Sequence, residues 1–290
     1  MDKKVRYIII TPAKDEEKYI EQTIKSVASQ TIQPLEWVIV NDGSTDNTGL
    51  ILKDYAKRHS WINVVDRENK GIRKAGGRDI DVFYYGYKAM RSDDADFIIK
   101  MDADLSFEND YFGRCFERFR NDARLGIGGG IIYQESNGAL VPEVGPLFHV
   151  RGATKIYRKE CWEAIGGPIN APGWDTLDEV KANKLGWKTC SFNDIKLVHM
   201  RPTGAAYGAW RNLMKNGRMN YIAGYHPLFM VLKCIRRIVR KPYVIGSVAL
   251  FYGFLSGYLK KLPQVQDRAL IDYLRQQQLR RLFFRDTIWR

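Results

Sequence analysis

The chain has 290 residues, 45% of them apolar, which is more than one compact core needs, and it carries a net charge of +13. That charge is lopsided: residues 1–200 hold 29 Lys and Arg against 30 Asp and Glu, whereas residues 201–290 hold 17 against 3. No repeat or low-complexity tract interrupts the sequence. Cys115, Cys161, Cys190 and Cys234 form no C-x-x-C pair and match no zinc spacing, which excludes a zinc module and predicts reduced core thiols in a cytosolic protein.

Asp2-Lys3-Lys4 lead into a strand after a few residues, without the apolar stretch of an export signal. Residues 5–10 read as a short buried strand, followed by Thr11-Pro12-Ala13-Lys14-Asp15-Glu16-Glu17 and an amphipathic helix carrying Ile20, Ile24 and Val27. A second strand at 35–40 runs into Asn41-Asp42-Gly43-Ser44-Thr45-Asp46, a turn and helix N-cap as well as a candidate nucleotide contact, before a helix over 50–55. This βαβ spacing predicts parallel strands. Lys70-Gly71 and Arg73-Lys74-Ala75-Gly76-Gly77-Arg78 form a basic, glycine-rich loop ahead of a helix near Ile80, where Arg78 and backbone amides suit a phosphate; a solvated loop is the plainer reading.

Phe97-Ile98-Ile99 then leads into Asp102-Ala103-Asp104. Strand alternation sends the two carboxylates to one side at a C-terminal strand edge, the usual ligand position in open α/β sheets. Two hard oxygen donors suit Mg²⁺ or Mn²⁺, which take further ligands from substrate phosphates. An isolated D-x-D also reads as an acidic turn that solvates a strand end. The glycine run at 126–130 lacks dinucleotide-fingerprint spacing and is read as a strand passing close to substrate. Arg151-Gly152-Ala153 is expected in a strand lining an acceptor pocket, and Trp162 and Ile165 before Gly166-Gly167 as core and helix cap. Asp175, Asp178 and Glu179 share one helical face, and a lone His199 ends the strand at 195–198.

Thr-Pro-Ala-x-Asp-Glu-Glu, Val-Ile-Val-Asn-Asp-Gly-Ser-Thr-Asp and Met-Asp-Ala-Asp, in this order and spacing, resemble the family 2 glycosyltransferases of the GT-A fold. The resemblance extends over about the first 200 residues and includes Gly-Trp-Asp-Thr-Leu-Asp-Glu at 173–179. It implies an α/β Rossmann-like mixed sheet flanked by helices over residues 1–204, with a nucleotide-sugar donor, UDP first, bound through Pro12, Ala13, Asp15 and Asp42. Asp42 would accept a hydrogen bond from the base. The same resemblance makes Asp104 the principal ligand of Mn²⁺ or Mg²⁺, sets Asp102 on the ribose or the ion's water shell, and offers His199 as a third ligand. Asp175 is the implied base for an inverting single displacement, with Asp178 next. Trp174 stands where many family members carry an acid and is available to stack on an acceptor sugar.

Residues 205–290 are expected to form a basic, apolar, helical region that associates with membrane. Basic residues interleave there with apolar runs such as 227–232, which favours an anionic membrane surface over nucleic acid. The 17 uncharged residues Tyr243–Leu259 would span about 26 Å as a helix at ~1.5 Å per residue, short for a crossing, and basic flanks favour monotopic attachment. Residues 264–284 predict another amphipathic helix buried through Val265, Ala269, Tyr273, Leu274 and Leu282.

The expected activity is therefore transfer of a sugar from a nucleoside-diphosphate donor to a glycan or lipid-linked acceptor at the cytoplasmic membrane face. Two other readings stay in view. One is a noncatalytic membrane- or nucleic-acid-binding protein on a degenerate transferase scaffold. The other is a sugar-nucleotide nucleotidylyltransferase, whose Gly-rich basic loop after the first strand Thr11-Pro12-Ala13-Lys14 does not supply.

Overall fold

Short runs of branched and aromatic residues build the centre of the sheet. The computed structural model describes residues 5–68, 78–136, 138–143, 145–201 and 208–289. Strands β1 (Tyr7–Ala13), β2 (Glu36–Asn41), β3 (Ile62–Asp66) and β4 (Phe97–Met101) lie parallel in the order β3-β2-β1-β4. Both faces are covered, so these strands are apolar throughout rather than alternating. Ile9, Trp37, Ile39 and Ile99 pack with α1 (Ile20–Ala28) and α4 (Tyr111–Asn121) on one face. Ile8, Ile10, Val38 and Ile98 pack with α3 (Arg78–Lys88) and α5 (Lys159–Ile165) on the other. Past Ile10, β1 keeps β2 as partner but loses β4, so Pro12, which has no N–H to donate, is tolerated in the last residues of the strand.

Beyond β4 the sheet turns mixed. β8 (Thr154–Arg158) lies antiparallel on β4, followed by β6 (Leu125–Ser136), β9 (Lys188–His199) and, at the far edge, β5 (Leu105–Phe107), while β7 (Ala139–Pro142) pairs with β6. Gly128 and Gly129 of β6 serve this packing. A Cβ on Gly128 would lie 2.6 Å from the Phe192 ring, and one on Gly129 2.7 Å from the Thr154 carbonyl oxygen. Residues 151–153, expected in a strand, are the irregular approach to β8. Trp162 and Ile165 are core, and Gly166 closes α5 in the left-handed conformation (φ 68°), as the sequence suggested.

The helices that follow α5 form a second layer: α6 (Trp174–Lys184), α7 (Gly208–Ile222), α8 (Pro227–Arg237), α9 (Tyr243–Leu259) and α10 (Arg268–Leu282). Leu177 and Val180 of α6 share one apolar cluster with Tyr221, Met230, Leu250, Phe254 and Leu274, so the C-terminal helices pack directly on the helix that carries Asp175. The expected boundary at 204/205 lies outside the described residues. Gly253 on α9 touches the Met214 backbone and Gly217 on α7 touches the Leu250 backbone, so the small residues bring these two helices together. Among the described residues no helix is long and apolar enough to cross a membrane. The buried face of α10 is Leu270, Ile271, Leu274, Gln277 and Gln278; of the expected set Leu274 is core, Val265 and Tyr273 are half-buried against the same cluster, and Ala269 is exposed. Two glutamines are buried because they serve the chain: Gln278 accepts from the His226 amide (2.8 Å) and Gln277 from that of Ile288 (3.2 Å).

Candidate active site

The D-x-D segment is the link from β4, near the middle of the sheet, to β5 at its edge. Thr23 of α1 pins its backbone, donating to the Ala103 carbonyl (2.8 Å) and accepting from the Leu105 amide (3.1 Å). Ala103 is buried, and the two aspartates turn together toward the site. Strand pairing supplies a third donor, since His199 lies opposite Leu105 in the β5–β9 ladder and Met200 donates to the Asp104 carbonyl (2.9 Å). Ligand atoms of Asp102, Asp104 and His199 lie within 4.8 Å of one another. Two carboxylates and an imidazole suit Mn²⁺ or Mg²⁺ with open positions left for substrate oxygens.

Cations and protons already crowd these carboxylates. Lys100 is ion-paired with Asp102, and the Arg201 guanidinium lies 3.6 Å from Asp104 and pairs with Glu16. A third of the Asp102 side chain reaches solvent, yet the surrounding protein raises its pKa despite Lys100. Burial, then the negative charge of Asp104, pushes Glu16 up to about 7. His199 Nε2 sits 3.1 Å from Asp104. Burial alone would lower its pKa, but the Asp104 hydrogen bond and charge raise it. A ligand imidazole must be neutral, so a cation and a proton compete here. Glu16, Thr23 and Arg201 were not picked out from the sequence; a threonine on the apolar face of α1 was the one local signal.

The candidate donor residues gather at the β1 and β2 ends. Pro12 and Ala13 are in register with Val40 and Asn41, and Asp42 donates its amide to the Ala13 carbonyl (2.9 Å). Asp42 is buried and its Oδ1 accepts from Arg67 (2.9 Å), a partner the sequence did not suggest. Asp15 is exposed and left-handed (φ 52°), and its carboxylate accepts from the Thr45 amide (2.8 Å), tying the two loops together. Asp46 accepts from the Thr48 and Glu17 amides and so caps the start of α2 (Thr48–Arg58). The basic loop at 69–77 and the Arg78 side chain lie outside the described residues.

On the other side, Asp175 opens α6 with its side chain one-quarter exposed. It stands beside the metal-type cluster: the Asp102 amide donates to Ala153 (2.8 Å), and a Cβ on neighbouring Gly152 would lie 3.4 Å from the Asp175 Cβ. Asp178 and Glu179 are fully buried. Lys155, also fully buried, holds both at 2.8 Å and donates to the Asp175 carbonyl. Tyr157 donates to Asp178 (2.5 Å), whose pKa burial pushes up to about 7. Of the three acids on this face, Asp175 is the one whose carboxylate reaches solvent. Trp174 is buried rather than offered to a sugar, its ring 5.6 Å from the Lys100 ammonium and 5.4 Å from that of Lys155, two lysines opposite each other in the β4–β8 ladder.

His149 completes this side, with Nδ1 2.9 Å from Glu179 and Nε2 4.0 Å from Asp175. Burial alone would lower its pKa, but the two carboxylates raise it. A cavity of about 440 Å³, lined in part by Gly130, Glu143, His149, Arg151 and Asn193, opens next to it.

A mixed sheet with an acidic strand end in the middle and helices on both faces is the architecture of the GT-A glycosyltransferases. Solved structures agree at the level of fold. The mannosyltransferase PcManGT from Pyrobaculum calidifontis, in complex with GDP-Man and Mn²⁺, superposes with a TM-score of 0.57 at 16% identity, covering 93% of this chain and 79% of that one. S. aureus TarS 1-349 in complex with UDP-GlcNAc gives 0.55 at 17% identity, covering 97% and 86%. Residues 8–169 match the model of glycosyl transferase family 2, and the chain belongs to that family. The poly-beta-1,6-N-acetyl-D-glucosamine synthase of Staphylococcus epidermidis is 32% identical over 241 residues, 74% of this chain and 53% of that protein. The chondroitin synthase of Escherichia coli is 33% identical over 120 residues, 40% and 16%. The chain thus spans about half of the length of the first of these curated relatives and about a sixth of the second.

Proposed function

We propose that the protein is an inverting, metal-dependent transferase that moves one sugar from a nucleoside-diphosphate donor, UDP-linked first, to a hydroxyl of a glycan or lipid-linked acceptor at the cytoplasmic face of a membrane. The observation that carries this reading is the convergence of Asp102, Asp104 and His199 one chain segment away from Asp175. Asp104 and His199 would hold Mn²⁺ or Mg²⁺, with Asp102 on the ion's water shell or the ribose. When bound, the ion offsets the negative charge that grows on the departing diphosphate. Solved neighbours carrying UDP-GlcNAc, or GDP-Man with Mn²⁺, support the donor class.

Pro12, Ala13, Asp15 and Asp42 flank the base and ribose, with Arg67 orienting the Asp42 carboxylate. The acceptor hydroxyl is a poor nucleophile until its proton leaves, and Asp175 takes that proton as the oxygen attacks the anomeric carbon from the side opposite the diphosphate. One displacement inverts the centre. The cavity beside His149 suits a polar acceptor. Arg78 is assigned the diphosphate.

The first test is a thermal-shift panel of UDP, GDP, dTDP, CMP and their sugar conjugates with Mn²⁺ or EDTA. Stabilisation by one nucleotide in Mn²⁺ alone is expected. Asp104→Asn should abolish it without loss of fold. Asp175→Asn should keep donor binding and lower turnover by about 10²–10⁴-fold, the usual worth of a general base. Wild-type turnover in EDTA rules out the metal role, and a flat panel in folded protein returns the noncatalytic scaffold reading.

A further inference from the structure

Helices α8 and α9 turn apolar residues outward. On α8, Leu228, Val231, Leu232 and Ile235 are all exposed, while Met230 and Cys234 face inward. Their spacing is a helical stripe of i, i+3, i+4, i+7 aimed at solvent. On α9, the glycine-bearing side is closed against α7, and Val244, Val248, Tyr252, Leu255 and Leu259 form a second exposed stripe, Leu259 at 80%. The connecting turn adds Val239 at 77%. A stable soluble surface scatters such residues singly; two stripes on adjoining helices mark a docking face.

Charge identifies the occupant. Residues 227–261 contain seven Lys and Arg and no Asp or Glu. Arg236, Arg240 and Lys241 stand exposed before α9, and Lys260 and Lys261 after it, so cations bracket both ends of the stripe. Arg237 is used internally: its guanidinium donates to the Arg240 carbonyl (3.2 Å) and the Pro242 carbonyl (3.4 Å), fixing the turn that joins the two helices. Exposed Tyr243, Tyr252 and Tyr258 add amphipathic rings. A protein partner would have to present an acidic rim around an apolar centre, whereas an anionic bilayer presents this arrangement everywhere along its surface.

We propose that α8 and α9 together form a two-helix platform that lies in the headgroup region of an anionic lipid bilayer, stripes down, without crossing it. The platform is held to the catalytic layer by the α7–α9 glycine contacts and by the apolar cluster shared with α6, so the surface and Asp175 move as one body. For its purpose this rests on the transferase reading, since it brings the site to a membrane-bound acceptor.

The test is flotation of the full chain with phosphatidylcholine vesicles, with and without phosphatidylglycerol, in the absence of nucleotide. Binding to anionic vesicles alone, weakened by salt, is expected. Val248→Asp/Leu255→Asp should reduce it at least about tenfold. Arg236→Ala/Arg240→Ala should reduce it by about fivefold for each cation removed. Both variants should keep the wild-type Tm and metal-dependent donor stabilisation. Absence of vesicle binding, or a lipid-free dimer abolished by Val248→Asp/Leu255→Asp, overturns the proposal, the dimer reassigning the stripes to a second copy. Vesicle binding with a flat donor panel sinks the transferase reading alone.

Discussion

The sheet layer and the C-terminal helices use the same kinds of residue in opposite ways. Around Asp175, charged groups point inward: Lys155, Asp178 and Glu179 are fully buried and satisfied by one another, by Tyr157 and by the Val150 amide. In α8 and α9, apolar groups point outward and the charges sit at the rim. Buried ions are costly unless every one is paired, and exposed apolar stripes are costly unless something covers them. The first region resolves its cost within the chain, by fixing a helix start beside the site. The second leaves its cost open, and the proposed lipid surface would resolve it.

Breaking the inward network should have the largest effect. Lys155→Met strands two buried carboxylates and is expected to cost about 3–5 kcal/mol in urea unfolding, the usual result of removing one partner of a buried pair. Gly253→Leu attacks the joint between the regions. With the Met214 backbone against it, a side chain forces α7 and α9 apart, and a loss of about 1–3 kcal/mol is expected.

pH sharpens the contrast. Asp178 is pushed up to about 7 by burial, and His149 is raised because its carboxylate neighbours outweigh its burial. Folded-state values above the unfolded ones give stability that is complete at low pH and lost as pH rises through the folded values. The Tm should therefore fall as pH rises from about 4 to about 7 through Asp178, and go on falling above the free imidazole value of 6.5 through His149, so His149→Gln should flatten the upper part of that fall. Lys233 in α8 has the opposite sign. Burial without a nearby acid brings it down to about 8, so its penalty is full below that value and is relieved as pH rises toward the unfolded value near ~10.4. Lys233→Met should raise the Tm at pH 7. Smallest of all, Val248→Asp should change stability by no more than about 0.5 kcal/mol, because the side chain it replaces is already in solvent. A large loss there would mean the stripe is core.

The strands at 5–10, 35–40 and 97–99 and the helix through Ile20, Ile24 and Val27 were legible because their signals are local: apolar runs, a 3.6 period, turn residues between them. The same locality made Asp102 and Asp104 conspicuous. Arg67 on Asp42, Arg201 beside Asp104 and Thr23 under Ala103 were not legible, since each contact joins residues 25 or more positions apart. At Gly128 and Gly129 the sequence shows that a side chain is missing but not that the Phe192 ring and the Thr154 carbonyl fill its place. On α10, counting apolar residues found Leu274 but not Gln277 and Gln278, which are buried by hydrogen bonds that only the tertiary partners supply.

By itself the sequence determined the family, the parallel half of the sheet and the acidic strand end, because motif order, periodicity and turn chemistry are written along the chain. Tertiary structure alone decided which of Asp175, Asp178 and Glu179 reaches solvent, and which side of α9 is exposed. A helix face is polar or apolar by sequence, but it is inside or outside only by what packs against it. Here Lys155 took two of the three acids into the core, and α7 took the glycine side of α9.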